Sequence, residues 1–79
     1  MDIPVVWTAR GRRYASSGRG REIRRTASLS IADIAAALGT SAPAVSRWER
    51  GLQTPGREEA AAYGRLMYDL ERETSDDPC

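Results

Sequence analysis

The segment from Ser30 to Gly51 reads SIADIAAALGTSAPAVSRWERG, and its spacing of apolar residues decides the fold. Four apolar side chains recur at the i, i+3, i+4, i+7 spacing of one buried helix face: Ile31, Ile34, Ala35 and Leu38. Ser30 suits the N-cap of this helix, and Asp33 can reach back to it as in a capping box. Gly39 can adopt the left-handed conformation that ends a helix. The segment therefore predicts a helix from Ser30 to Leu38.

A second short helix is predicted directly after this turn. Ser41 suits its N-cap, and Pro43 in the first turn needs no backbone donor there. Val45 and Trp48 are expected to face inward, and Gly51 is expected to end the helix. Five residues are expected to face outward: Ala42, Pro43, Ser46, Arg47 and Arg50. Two glycine stops so close in sequence predict a compact pair of helices at a steep angle, a helix-turn-helix.

Two further helices are predicted on either side of the pair. The first runs from Arg19 to Ala27, where Gly20 stands in place of an expected larger apolar residue. The second begins after the helix-start signal Thr54-Pro55 and runs from Arg57 to about Glu73. Its core face is expected to consist of Ala60, Tyr63, Leu66, Met67 and Leu70. The predicted fold is an all-α, compact four- to five-helix bundle.

The predicted domain spans residues 18–73, with the motif at 30–51. Residues 1–17 form either an N-terminal arm or a short helix from about Val5 to Ser16, and a strand is a further alternative. Trp7 is expected to dock onto the helical core, because an exposed tryptophan is costly in a small domain. Tyr68 is expected to lie off the core face, at an interface. Residues 74–79 are expected to form a flexible acidic tail.

Composition argues against catalysis and metal binding. The chain has 79 residues, no histidine, and one cysteine, which is its last residue. These counts leave no internal disulfide and remove the common zinc, triad and imidazole-base chemistries. No acid, base and nucleophile converge, so no enzyme, cofactor, metal site or small-molecule ligand is expected. The absence of an apolar run and of a leader segment favours a cytoplasmic protein without membrane contact.

The charges are distributed unevenly along the chain. Residues 1–57 contain ten arginines and four acids, a balance of +6, whereas residues 58–79 contain two arginines and seven acids, a balance of −5. All twelve basic residues are arginine, which a GC-rich genome would explain. Arginine also suits phosphate and guanine, because the planar guanidinium donates two parallel hydrogen bonds.

The motif residues resemble the buried pattern of one known family. The positions that carry this resemblance are Ile34, Ala35, Leu38, Gly39, Val45 and Trp48. They are similar to the Cro/repressor-type helix-turn-helix domains, the xenobiotic-response-element (XRE) family of transcriptional regulators. The run Val45–Gly51 followed by Pro55, and Ile23-Arg24 ahead of Leu29-Ser30, resemble the family signature. The resemblance covers roughly residues 18–70 and implies a lambda-repressor-like fold.

In that family the second helix of the motif enters the major groove. The resemblance implies that base edges are met by Ala42, Pro43, Ser46, Arg47 and Arg50. Arg47 is the strongest candidate for a bidentate contact to guanine, worth about 1–3 kcal/mol of discrimination. Phosphates would be met by Arg19, Arg21, Arg25, Ser30 and Ser41, the two serines through helix N-termini. The alternative is that these arginines are ordinary solvated side chains.

Two further positions bear on the resemblance. Arg24 and Glu49 match a semi-buried ion pair that links the first helix to the reading helix, although both would also be tolerated as surface charges. Ile31 stands where many members have a phosphate-contacting glutamine, so that contact is not carried over to this chain, and Ile31 is expected to be a core residue.

The expected function is sequence-specific binding of double-stranded DNA by a small bacterial or phage regulator, Cro-like or a minimal repressor, associated with the nucleoid. A homodimer on a palindromic operator is expected, with a monomer as the alternative. The competing hypothesis is an antitoxin or protein-protein adaptor. In that case the helix-turn-helix serves as a scaffold and the acidic C-terminal helix binds a basic partner.

Overall fold

Five helices make up the part of the chain that the computed structural model describes, which is the backbone of residues 5–75 and the side chains of residues 5–73. They are α1 (Val5–Ser17), α2 (Arg19–Thr26), α3 (Ile31–Leu38), α4 (Ala42–Glu49) and α5 (Arg57–Ser75). No strand occurs in this range, and the all-α prediction is confirmed. None of these helices has the length and apolarity needed to cross a bilayer.

Both ends of the described range are more helical than the sequence alone established. The N-terminal segment, for which an arm, a strand or a helix was open, is helical from Val5 onward. At the other end, α5 continues two residues past its predicted end at Glu73. Residues 1–4, and residues 76–79 of the predicted acidic tail, lie outside the described range.

The ends of α3 follow the predicted capping chemistry. The Asp33 N–H donates to Ser30 Oγ over 3.0 Å, and the Ser30 N–H donates to Asp33 Oδ2 over 2.8 Å. These bonds to Ser30 hold the pKa of Asp33 below its ordinary value. Gly39 has φ of 70° and ends the helix, and the N–H of Thr40 donates back to the carbonyl of Ala35. The capping box and the glycine stop are both confirmed.

Helix α4 starts and stops in the same manner. Ser41 Oγ accepts from the Ala44 N–H over 3.3 Å. At the other end Gly51 has φ of 72°, and the N–H of Leu52 donates to the carbonyl of Arg47 over 2.9 Å. Because the left-handed Gly39 lies between the two helices, the orientation of α4 relative to α3 is set by the backbone as well as by packing.

The core lies where all five helices meet. Its buried side chains are Ala15, Ile23, Ile34, Ala35, Val45, Trp48, Tyr63 and Met67. Trp48 of α4 and Tyr63 of α5 are its largest members, and their rings meet edge to face with centroids 5.6 Å apart. The core residues predicted for α3, α4 and α5 are confirmed, although four of them are only half-buried and pack against the edge of the core: Ile31, Leu38, Leu66 and Leu70.

Gly20 leaves room for the end of the Tyr63 side chain. A Cβ atom built on Gly20 would lie 2.1 Å from the Tyr63 hydroxyl oxygen. The larger apolar residue expected from the helical pattern is therefore supplied by the facing helix, not by α2 itself. Burial raises the pKa of Tyr63, since the ionised form loses its hydration in the core.

Helix α1 packs along α5 through small residues. Thr8, Gly11 and Ala15 are its buried positions, and the Thr8 hydroxyl donates to the carbonyl of Arg57 over 3.1 Å. A Cβ built on Gly11 would lie 1.7 Å from the carbonyl oxygen of Ala60. The two backbones touch at this point, so the α1–α5 crossing depends on the absence of a side chain.

Trp7 packs at the rim of the molecule and not in the core. Its ring meets the ring of Tyr68 edge to face, with centroids 5.4 Å apart. The prediction that Trp7 docks onto the core is therefore wrong in its location. Trp7 lies one residue before Thr8 on α1, so it points beside the buried face and meets the flank of α5. Tyr68 lies off the core face, as predicted, and is half-buried by Trp7.

Candidate nucleic-acid interface

One face of α4 is buried in the core, and this leaves the opposite face of the helix exposed to solvent. Val45 and Trp48 are 0% and 1% exposed, so the helix is held against the core along its whole length. Pro43, Arg47 and Arg50 are exposed on the other side. Neither arginine side chain makes a hydrogen bond or ion pair with a described residue. Both guanidinium groups are thus available to an external acceptor.

Two residues of the predicted reading face are less exposed than expected. Ser46 is half-buried. Ala42 is also half-buried and packs against the core, so the prediction that it faces outward is wrong in part. The reason is its spacing, because Ala42 precedes the fully buried Val45 by three residues and shares its side of the helix.

A shallow groove of about 130 Å³ runs beside α4 and brings residues from three helices together. Its lining residues are Arg21 and Arg24 of α2, Ile31 of α3, Ser46 and Glu49 of α4, and the C-cap residue Arg50. Arg21 was predicted to contact phosphate, and it lies across this groove from Ser46 and Arg50. The structure therefore places one predicted phosphate residue next to two predicted base-reading residues.

An ion pair fixes α2 to the end of α4. Arg24 Nε lies 2.6 Å from Glu49 Oε2, and Arg24 Nη2 lies 3.0 Å from Glu49 Oε1, so the contact is bidentate. Arg24 Nη1 also donates to the carbonyl of Leu29 over 2.9 Å. The two side chains are 12% and 4% exposed, and the hydrogen bond to Glu49 raises the pKa of Arg24. The expected pair is present, and it holds Arg21 in register with α4.

Arg19 is directed away from α4. Its guanidinium lies 3.0 Å from Glu22 and 2.7 Å from Glu71 of α5, and Arg19 is not among the residues that line the groove beside α4. This direction follows from its position on α2, since Arg19 and Arg21 are two residues apart and such residues do not share a helix face. The structure does not bring Arg19 together with the reading helix.

The remaining predicted phosphate residues differ in what they offer. The backbone N–H of Ser30 already donates to Asp33, whose carboxylate occupies the N-terminus of α3 where a phosphate was expected. Ser41 is exposed at the N-terminus of α4, and Arg25 is exposed on α2. Arg25 and Ser41 therefore present polar groups to solvent, whereas the N-terminus of α3 presents a negative charge.

One contact that bears on α4 was not foreseen in the sequence. Arg12 of α1 donates from Nε to the carbonyl of Pro55 over 3.3 Å, which ties the loop after α4 to the N-terminal helix. Pro55 itself is buried. No local pattern predicts this bond, because its partners are 43 residues apart. Among residues 5–73, no group of three or more acidic or cysteine side chains is placed to hold a metal ion.

Comparison with known proteins identifies the family. A family model described as a helix-turn-helix domain matches residues 21–76, more than two thirds of the chain. No curated protein and no solved structure matches. The matched range contains α3, its glycine turn, α4 and the groove between α2 and α4. The chain belongs to the helix-turn-helix family of DNA-binding domains.

Proposed function

We propose that the protein is a sequence-specific transcriptional regulator of the Cro/repressor (XRE) type that reads the major groove of double-stranded DNA with α4. The observation that carries the proposal is the face of α4 opposite Val45 and Trp48. That face holds Arg47 and Arg50 without a described acidic partner, and Arg21 lies across the adjoining groove from Arg50. An α-helix fits the major groove, where arginine recognises guanine by two hydrogen bonds.

Base recognition by α4 rests on few side chains. Arg47 is assigned to guanine O6 and N7, and Ser46 and Arg50 supply further donors. Pro43 offers only apolar contact, for instance to a thymine methyl group, and Ala42 offers less than its position suggested because it is half-buried. Specificity is therefore concentrated in two arginines and one hydroxyl.

Backbone contacts are assigned to residues around α4. Arg21 and Arg25 of α2 would pair with phosphates, and the N-terminus of α4 at Ser41 would hold another through backbone N–H groups. Arg19 and Ser30 are left out of this set. Arg19 lies against Glu71 and does not line the groove beside α4, and the N-terminus of α3 carries Asp33.

A homodimer on a palindromic operator follows from the small reading face. The eight residues of α4 and the C-cap residue Arg50 together offer three hydrogen-bonding side chains, which read only a few base pairs. Two copies related by a two-fold axis would read two half-sites about one turn, roughly 34 Å, apart. Such a regulator acts in the cytoplasm, on the nucleoid of a bacterium or on phage DNA.

The adaptor alternative has less support from the described residues. It needs a basic partner to bind the acidic face of α5, yet part of that charge is used within the molecule. Glu71 accepts from Arg19 and Tyr14, and Asp69 lies 3.5 Å from Arg65 on the same helix. Glu58 and Glu59 remain exposed in the first turn of α5, where they also suit the helix dipole.

Titration of the protein onto duplex DNA at several salt concentrations tests the proposal and separates it from the adaptor alternative. Binding should weaken steeply as salt rises, because counterions are released from each neutralised phosphate. Arg21→Ala should weaken binding to all duplexes alike and reduce the salt slope by about one. The matched control is Arg65→Ala, which removes the same charge from the α1–α5 face, where Arg65 stacks on Trp7.

The outcome against the proposal is equally specific. Duplex binding that is absent, or independent of salt, would favour the adaptor. If Arg21→Ala and Arg65→Ala changed the salt slope of DNA binding equally, Arg21 would be an ordinary solvated side chain and not a phosphate contact.

A further inference from the structure

A second cationic site lies away from α4, between the C-terminal half of α1 and the start of α2. It is a cavity of about 290 Å³, lined by Arg10, Arg13, Tyr14, Ser17 and Arg19. This volume is near the lower end of the roughly 300–1,000 Å³ typical of small-molecule sites. The groove beside α4 has a different set of lining residues, so the two sites are separate.

The polar side chains of this arginine cavity offer hydrogen-bond donors. Arginine donates only, and the Ser17 hydroxyl, which accepts from the backbone N–H of Arg19 over 3.2 Å, keeps its own hydrogen for a ligand. Arg13 is exposed and makes no side-chain hydrogen bond or ion pair with a described residue. A cavity lined by cationic donors repels a cation and offers few acceptors to a donor ligand. It is complementary to an anionic group with several acceptor oxygens.

Arg10 is positioned without using its donors. Its guanidinium carbon lies 5.4 Å from the ring centroid of Trp7 and 5.3 Å from that of Tyr68. Cation–π attraction to the two rings holds the guanidinium in place without using its N–H groups, which make no hydrogen bond to a described residue. The rim pair of Trp7 and Tyr68 therefore pre-orders one wall of the arginine cavity.

A carboxylate next to the arginine cavity already accepts hydrogen bonds from two of the residues that line the cavity. Glu71 of α5 accepts from Arg19 Nη2 over 2.7 Å and from the Tyr14 hydroxyl over 3.0 Å. Arg19 retains further N–H groups after binding Glu71 and Glu22, since a guanidinium has five. Three guanidiniums line the cavity, against the two carboxylates that pair with Arg19, so its charge balance is positive. That balance can be met by an external anion.

We propose that the arginine cavity binds a phosphate group through Arg10, Arg13, Arg19 and the Ser17 hydroxyl. Phosphate offers several acceptor oxygens and up to two negative charges, and arginine pairs with it in a bidentate manner. The phosphate has two possible sources, a free phosphorylated small molecule or the backbone of nucleic acid. Either would be bound independently of the α4 reading face, so this inference goes beyond the proposed function.

The test is a titration of the full chain with inorganic phosphate, followed by backbone amide NMR at constant ionic strength and mildly alkaline pH. Amides of residues 13–20 should shift saturably, with a dissociation constant in the millimolar range. Arg13→Gln should raise that constant about tenfold, since one charge-assisted contact is lost. Arg57→Gln is the matched control. It removes one charge at the opposite end of α5 from Glu71, about 21 Å away at the helix rise.

The two sources are separated by a second titration with a short duplex of arbitrary sequence. Shifts of the same amides, lost in Arg13→Gln, would assign the site to the nucleic-acid backbone. Shifts with phosphate but not with the duplex would assign it to a free phosphorylated molecule. Non-saturable shifts, or equal affinities in Arg13→Gln and Arg57→Gln, would overturn the proposal. Unchanged amide positions in α3 and α4 of Arg13→Gln would verify that its fold is retained.

Discussion

Trp48→Ala is expected to lower the free energy of unfolding by about 3–5 kcal/mol, the range for emptying a large aromatic site in a core. Trp48 is 1% exposed and packs edge to face on Tyr63. Small domains have only about 5–15 kcal/mol of stability in total. The variant should therefore lose a large part of the stability of the domain and unfold at a much lower temperature, because α4 loses its support.

Thermal and urea unfolding followed by circular dichroism measure this effect. The matched control is Trp7→Ala, which removes the same side chain from a half-buried position at the rim. Its cost should be clearly smaller, because the Trp7 site opens to solvent and leaves no enclosed cavity. If Trp48→Ala melted close to the wild-type temperature, Trp48 would not be a core residue, and the placement of α4 against the core would be wrong.

Gly11→Ala is expected to destabilise the domain by about 2 kcal/mol or more, although alanine favours helices. The new Cβ would lie 1.7 Å from the Ala60 carbonyl oxygen and 2.6 Å from its carbonyl carbon. Both are backbone atoms and cannot rotate away, so α1 and α5 must separate. Overpacking costs typically 1–3 kcal/mol and occasionally more. The higher helix propensity of alanine stabilises the helix by at most about 1 kcal/mol. The clash is larger, so the net change in the free energy of unfolding is destabilising.

Gly56→Ala provides the control for the glycine substitution. The nearest atom to a Cβ at Gly56 is Glu59 Oε1 at 3.4 Å, the tip of a flexible side chain. Its stability should change by less than about 1 kcal/mol. Equal urea midpoints for Gly11→Ala, Gly56→Ala and the wild type would show that α1 does not approach α5 as closely as described.

Local sequence signals predicted the helix-turn-helix well. The caps at Ser30 and Ser41, the glycine stops and the apolar stripe of α3 each act over a few residues, and all are present. The packing of α1 could not be predicted in this way. Its buried face is made of Thr8, Gly11 and Ala15, which carry no large apolar side chain and so give no helical stripe.

The candidate site was predictable to a similar extent. The exposure of Arg47 and Arg50 follows from the periodicity of α4. The pairing of Arg24 with Glu49 was expected only through the family resemblance. The engagement of Arg19 by Glu71 depends on two residues 52 positions apart. Nothing in the local sequence indicates such a contact, and it moves one predicted phosphate residue from the DNA face to the arginine cavity.

Selection of binding sites from a random duplex pool, with the wild type and Arg47→Ala in parallel, tests most directly whether α4 reads DNA. The wild type should enrich a defined, palindromic sequence that contains guanine. Arg47→Ala should lose the preference for that guanine, equivalent to about 1–3 kcal/mol, while its unfolding curve stays unchanged because Arg47 is exposed. The same enriched sequence from both proteins, or no enrichment with the wild type, would contradict the account.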